Sequence, residues 1–104
     1  MGPRELKPPR GAEAGKARIH GTSTGARGWE RLCRSKPAAM KRCYAELTGN
    51  PFPPSPTPRH HRLKGKLRNF WEYEVSGGDR VRYKRGPGGE LGVVYAGSHP
   101  SDAR

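Results

Sequence analysis

The sequence predicts an α+β domain in which two short helices pack on a small antiparallel sheet. Two patterns carry this expectation. Trp29, Leu32 and Cys33, then Met40, Cys43, Tyr44 and Leu47, recur at three- and four-residue intervals, which gathers them on helix faces. After a proline-rich stretch come three strand-like runs, 67–75, 80–85 and 91–96, separated by Ser76-Gly77-Gly78 and Gly86-Pro87-Gly88-Gly89.

The elements follow in chain order. Residues 1–16 combine Pro3, Pro8 and Pro9 with glycines and charges and have no apolar period, so they read as a flexible basic leader to a single domain spanning 17–104. A short first strand is expected around Ile19. Gly21-Thr22-Ser23-Thr24-Gly25 has the letters of a hydrolase nucleophile elbow, but no apolar strand precedes it, so a flexible loop is expected there. The first helix is expected from Trp29. Ser35 and Pro37 suit the cap and first turn of the second, which Gly49 and Asn50 end. Five prolines between Asn50 and Pro58 make an extended connector. In the meander, Trp71, Tyr73 and Val75 alternate with Glu72 and Glu74, and Val81 and Tyr83 alternate with Arg80, Arg82 and Lys84. One sheet face should meet the helices and the other should be charged.

Only thirteen of 104 residues are Leu, Ile, Val or Phe, and all eight aromatic residues fall between Trp29 and Tyr95, so the core should be thin and central. With 21 Lys and Arg against 9 Asp and Glu, a net charge of +12 recruits polyanions, nucleic acid first. No apolar run reaches the roughly 20 residues of a spanning helix, and no signal-peptide core follows Met1, so no membrane partner and a cytoplasmic location are expected. Cys33 and Cys43 read as small core residues. Their spacing from each other and from His60 and His61 matches no usual zinc site, so neither metal nor cofactor is expected.

The candidate chemistry lies between Arg59 and Arg85. Nine Lys or Arg against Glu72, Glu74 and Asp79 leave this block at +6, half the net charge of the chain. His60, His61 and His99 add imidazoles able to take and give protons near neutral pH. RNA cleavage by internal attack needs a base for the 2′-hydroxyl, cations for the phosphate and an acid for the leaving 5′-oxygen. The sequence holds candidates for each.

The strings His61-Arg62-Leu63-Lys64-Gly65-Lys66-Leu67, Trp71-Glu72-Tyr73, Gly78-Asp79-Arg80-Val81-Arg82-Tyr83 and Tyr95-Ala96-Gly97-Ser98-His99-Pro100 together resemble the RelE/ParE toxin superfamily. They are most similar to the endoribonuclease toxins of the YoeB and YafQ type. The resemblance covers roughly 29–100 and implies an antiparallel sheet against two helices. It also implies a type II toxin that cuts mRNA on the ribosome without a metal, neutralised by a cognate antitoxin for which the basic surface suggests an acidic segment. By the same resemblance His61, Lys64, Arg80 and His99 are the catalytic candidates; the cation-dense block itself makes His60, Arg62, Lys66, Arg68, Arg82, Tyr83 and Lys84 the RNA-binding ones. No acidic general base of the YoeB type is evident. The alternative is a gyrase inhibitor of the ParE branch, or a basic RNA-binding protein without turnover.

Overall fold

Thr22 starts the first helix: its hydroxyl accepts the Gly25 N–H at 3.0 Å, which satisfies one of the donors that a helix N-terminus leaves unpaired. The structure, a computed structural model, describes residues 4–12 and 18–100. Helix α1 spans Ser23–Ser35, so it begins six residues before the expected Trp29, and of the expected loop at 21–25 Gly21 ends a strand while 22–25 are the cap and first turn of α1. Gly25, one of the glycines that suggested a loop, has a packing role, and so does Gly28 one turn on. A Cβ at Gly25 would lie 2.2 Å from the Val93 carbonyl oxygen, and one at Gly28 only 1.9 Å from that of Ala96. Their bare backbone lets α1 lie directly on the strand beneath, and Ala26, Trp29 and Leu32 are buried along the same helix.

Helix α2, Pro37–Gly49, has Pro37 in its first turn and Asn50 as its C-cap, as the sequence suggests. Ser35 does not cap it. That residue ends α1, where its hydroxyl donates to the Arg31 carbonyl at 3.0 Å, and Lys36 joins the helices without a side-chain cap. The Lys36 N–H closes α1 on Leu32, and its carbonyl accepts from Met40 to open α2. Met40, Cys43, Tyr44 and Leu47 are buried on one face, at the spacing read from the sequence. Burial pushes the Cys43 thiol well up and, with Glu30 nearby, raises Cys33 to about 11, so both stay protonated at neutral pH.

The strands are β1 (Arg4–Glu5), β2 (Ile19–Gly21), β3 (His60–Arg62), β4 (Trp71–Ser76), β5 (Asp79–Arg85) and β6 (Leu91–Ser98). They form one sheet in the order β1-β2-β6-β5-β4-β3, antiparallel throughout except for the parallel β2–β6 pair. The expected meander is β4-β5-β6. Its first strand starts later than expected, because Gly65–Leu67 is a single 3-10 turn entered through Gly65 at φ 65°. The basic block supplies the edge strand β3, and the expected strand around Ile19 adds to the far side as β2. No helix or strand forms between Asn50 and Arg59, in keeping with the prolines.

The leader expectation is not met over 4–12. Arg4–Glu5 pair with β2, Leu6 is buried in the core, and the Trp29 indole donates to the Lys7 carbonyl at 3.1 Å. The remainder of that expectation, 1–3 and 13–16, lies outside the described residues. Tyr73, Val75, Val81, Tyr83, Leu91, Val93 and Ala96 join the helix residues in one core. The alternate positions form the opposite, open face. Among the described residues no helix is long and apolar enough to cross a membrane.

The close approach of α1 to β6 predicts opposite outcomes for two glycine substitutions. Gly28→Ala drives a methyl group into the Ala96 carbonyl and should cost about 2 kcal/mol or more, whereas Gly49→Ala, with nothing within 4 Å, should gain roughly 0.5 kcal/mol from helix propensity. Urea unfolding of both variants checks the contrast.

Candidate active site on the open face

Strand register places His61 of β3 opposite Glu72 of β4, Glu72 opposite Arg82 of β5, and Arg82 opposite Tyr95 of β6, so four side chains form a row across the open face. Glu72 is the centre of this row. Although on the face away from the helices, it is only 5% exposed, and its Oε2 accepts from Arg82 Nε at 2.8 Å. Its other oxygen, Oε1, lies 3.7 Å from Arg80 Nε and 3.9 Å from His61 Nε2. One buried carboxylate thus faces two guanidinium groups and an imidazole. Such an arrangement survives burial because the charges compensate one another.

Arg80 is fixed from behind. Its Nη1 donates to the carbonyls of Ser76, Asp79 and Gly77 at 2.9, 3.1 and 3.3 Å, gripping the β4–β5 turn. Its Nε and Nη2 stand 3.7 Å from Glu72 and 4.0 Å from Glu74, within ion-pair range and beyond hydrogen-bond distance. The Nε–Nη2 edge, which meets a phosphate bidentately, is therefore oriented without being consumed. In His61, Nδ1 is buried without a hydrogen-bond partner and Nε2 is the nitrogen directed toward Glu72.

His99 comes to the same turn from the end of β6: its N–H donates to the Gly78 carbonyl at 2.8 Å, and its exposed ring has Nδ1 2.9 Å from the Pro100 carbonyl oxygen. The turn is also tied to the helices. Lys36 Nζ lies 2.5 Å from Asp79 Oδ2 and 3.1 Å from the Ser76 hydroxyl, which donates to Asp79 at 2.8 Å. The hydrogen bond from Lys36 is the main cause that holds the Asp79 carboxyl below the usual carboxylate range, with Ser76 and the nearby charges assisting against burial.

The remaining candidates divide by exposure. Arg62, Lys64, Lys66, Arg68 and Lys84 are exposed, the first at the end of β3 and the next three along the connection to β4, where Arg62 Nε donates to the Arg68 carbonyl at 2.5 Å. Three expected RNA contacts need correction. His60 is 3% exposed, its ring packed against Trp71, Tyr73 and Tyr83, with Nε2 at the Tyr83 hydroxyl and Nδ1 3.2 Å from Glu46. Tyr83 is fully buried and donates to the Pro51 carbonyl, so both residues anchor the proline-rich connector rather than face a ligand. Arg82 is 6% exposed and committed to Glu72, which makes it a support for the site more than a phosphate contact.

Glu72 is the residue that the sequence reading missed as chemistry. Alternation with Tyr73 did place it on the charged face, but it counted there only as a negative offset. Its cross-strand pairing with Arg82 turns that offset into the centre of the site.

No family profile matches the sequence, and no curated protein matches it. Solved structures do. The YoeB/ParE toxin from Agrobacterium tumefaciens matches with a TM-score of 0.63 and 19% identity, covering 79% of this chain and 98% of its own. A chain of the YoeB-YefM complex from Staphylococcus aureus gives 0.63 and 10%, over 82% of this chain and 99% of the other. The E. coli DinJ-YafQ toxin-antitoxin complex gives 0.60 and 16%, over 81% and 93%. At these identities the likeness establishes the fold.

The Lys36–Asp79 contact makes stability depend on pH. Because Asp79 is more acidic folded than unfolded, its contribution is present above about pH 4 and disappears as pH falls through the lower folded value. Asp79→Asn should cost about 1 kcal/mol at pH 7, the contact being half exposed on the Lys36 side, and close to nothing near pH 2. Thermal melts of both proteins across that range measure the difference.

Proposed function

We propose that this chain, which shares its fold with YoeB and YafQ toxins, is the toxin of a type II toxin-antitoxin pair and an endoribonuclease acting on mRNA at the ribosome. The observation that carries the reading is the cluster of His61, Glu72 and Arg80 on the open face, bordered by the exposed cations of the β3–β4 connection. The fold likeness supports it, since the matching structures include toxins bound to antitoxins.

The chemistry is cleavage by the RNA's own 2′-hydroxyl. His61 takes the hydroxyl proton as the 2′-oxygen forms a bond to phosphorus, and Glu72 stabilises the imidazolium produced. The Nε–Nη2 edge of Arg80 and the ammonium of Lys64 stabilise the charge that grows on the phosphate oxygens. The bond from phosphorus to the 5′-oxygen breaks, and His99 supplies the proton to that leaving oxygen. Arg62, Lys66, Arg68 and Lys84 hold the flanking backbone, a contribution that weakens with salt. The antitoxin covers these cations with an acidic segment.

Cleavage of an mRNA under translation tests the proposal. The wild type should cut, and an Arg80→Ala, His99→Ala double variant should be slower by at least about 100-fold, given what one proton-transfer group or one charge stabiliser contributes. Equal cleavage by the two proteins contradicts the assignment.

A further inference from the structure

The open face also carries a cavity that the cleavage chemistry does not use. It measures about 280 Å³ and is lined by Leu67, Phe70, Arg82, Val94, Tyr95 and Pro100. A register shift lies beside it. Arg82 pairs with Tyr95 while the next residue, Tyr83, pairs with Val93, so β6 carries one extra residue, Val94, at this point. A bulge of this kind re-aims side chains, and here Val94 and Tyr95 both line the cavity instead of facing opposite sides of the sheet. The Tyr95 hydroxyl donates to the Ser98 carbonyl, which fixes the ring.

We infer that this cavity is a binding slot for one unpaired nucleobase of the RNA, held between Tyr95 and Phe70. This rests on the ribonuclease reading and deepens it by naming where a base beside the scissile phosphate goes. Three features select a base over another apolar group. The walls offer two aromatic rings and aliphatic side chains, a surface suited to a flat π-system and indifferent to its hydrogen-bond pattern. The rim is cationic: Lys84 Nζ stands 5.7 Å from the Phe70 ring centroid, and Lys66 and Arg68 flank Leu67 on exposed positions. A base arrives attached to phosphates, and those cations are placed for them. The distance also fits. Arg80 and Arg82 are two residues apart on one face of β5, about 7 Å along the strand, so a phosphate at Arg80 and a base beside Arg82 are within the reach of one nucleotide.

Binding to non-cleavable 2′-O-methyl single strands separates this slot from the ribonuclease reading. The probes are one strand with all its bases and one of equal length with abasic positions. The wild type should prefer the base-bearing strand by about tenfold, the scale of one base stacked on an aromatic side chain. Tyr95→Ala removes a wall, and Val94→Trp fills the slot without emptying it. Both should abolish the preference while leaving affinity for the abasic strand unchanged. Preference intact in both variants overturns the slot and leaves the ribonuclease reading standing. That preference intact together with weakened binding of an acidic peptide would assign the cavity to a protein partner and also overturn it. Failure of the wild type to bind either strand removes the ribonuclease reading and the slot with it.

Discussion

A carboxylate buried on the exposed side of a sheet is costly unless its charge is answered, and Glu72 is answered by Arg82 at 2.8 Å with Arg80 and His61 close by. The rest of the open face depends on that pairing. Glu72 is an anionic partner of Arg82 within the sheet, and the Nε of Arg80 and the Nε2 of His61 both lie within 4 Å of its other oxygen. Removing one member of such a buried pair typically costs about 3–5 kcal/mol, much of it from the partner left behind. In the proposed reaction Glu72 therefore serves stability and chemistry at once. This is why the most basic part of the chain has an acidic residue at its centre.

The packing on the other side of the sheet supports the same positions. Strand β6 lies under α1, with the backbone at Gly25 and Gly28 against the carbonyls of Val93 and Ala96. The same strand carries Tyr95 into the row with Arg82 and Glu72, and ends where His99 meets the β4–β5 turn. Lys36, the single residue between the helices, reaches that turn through Asp79. The two helices thus hold both ends of the site through β6 and through one ion pair.

Much of the architecture was legible in the sequence because it rests on periodicity. Three- and four-residue spacing found the buried face of α2, and alternation found the two faces of β4 and β5. What periodicity could not show was close approach. Gly25 reads as a loop residue because a glycine pressed against a carbonyl and a glycine in a turn are the same letter, and Gly28 carries no signal of its own. Leu6 gave no period of its own, yet it fills the core beside β2. At the site, His61, Lys64, Arg80 and His99 were read from chemistry and resemblance, and His61 and Arg80 do come together around Glu72. His60 and Tyr83 were misread because a histidine beside arginines looks like a ligand contact, whereas the strand phase turns His60 inward to Tyr83 and the proline-rich connector. One residue of phase separates the buried His60 from the half-exposed His61.

The central claim is a cleavage site that uses the RNA's own 2′-hydroxyl, and the chemical form of the cut ends tests it most directly. Internal attack must leave a 2′,3′-cyclic phosphate on one fragment and a 5′-hydroxyl on the other, and a single 2′-deoxy substitution at the cleaved nucleotide must block that cut. Fragments ending in a 3′-hydroxyl and a 5′-phosphate, or undiminished cleavage at the 2′-deoxy position, would contradict the account.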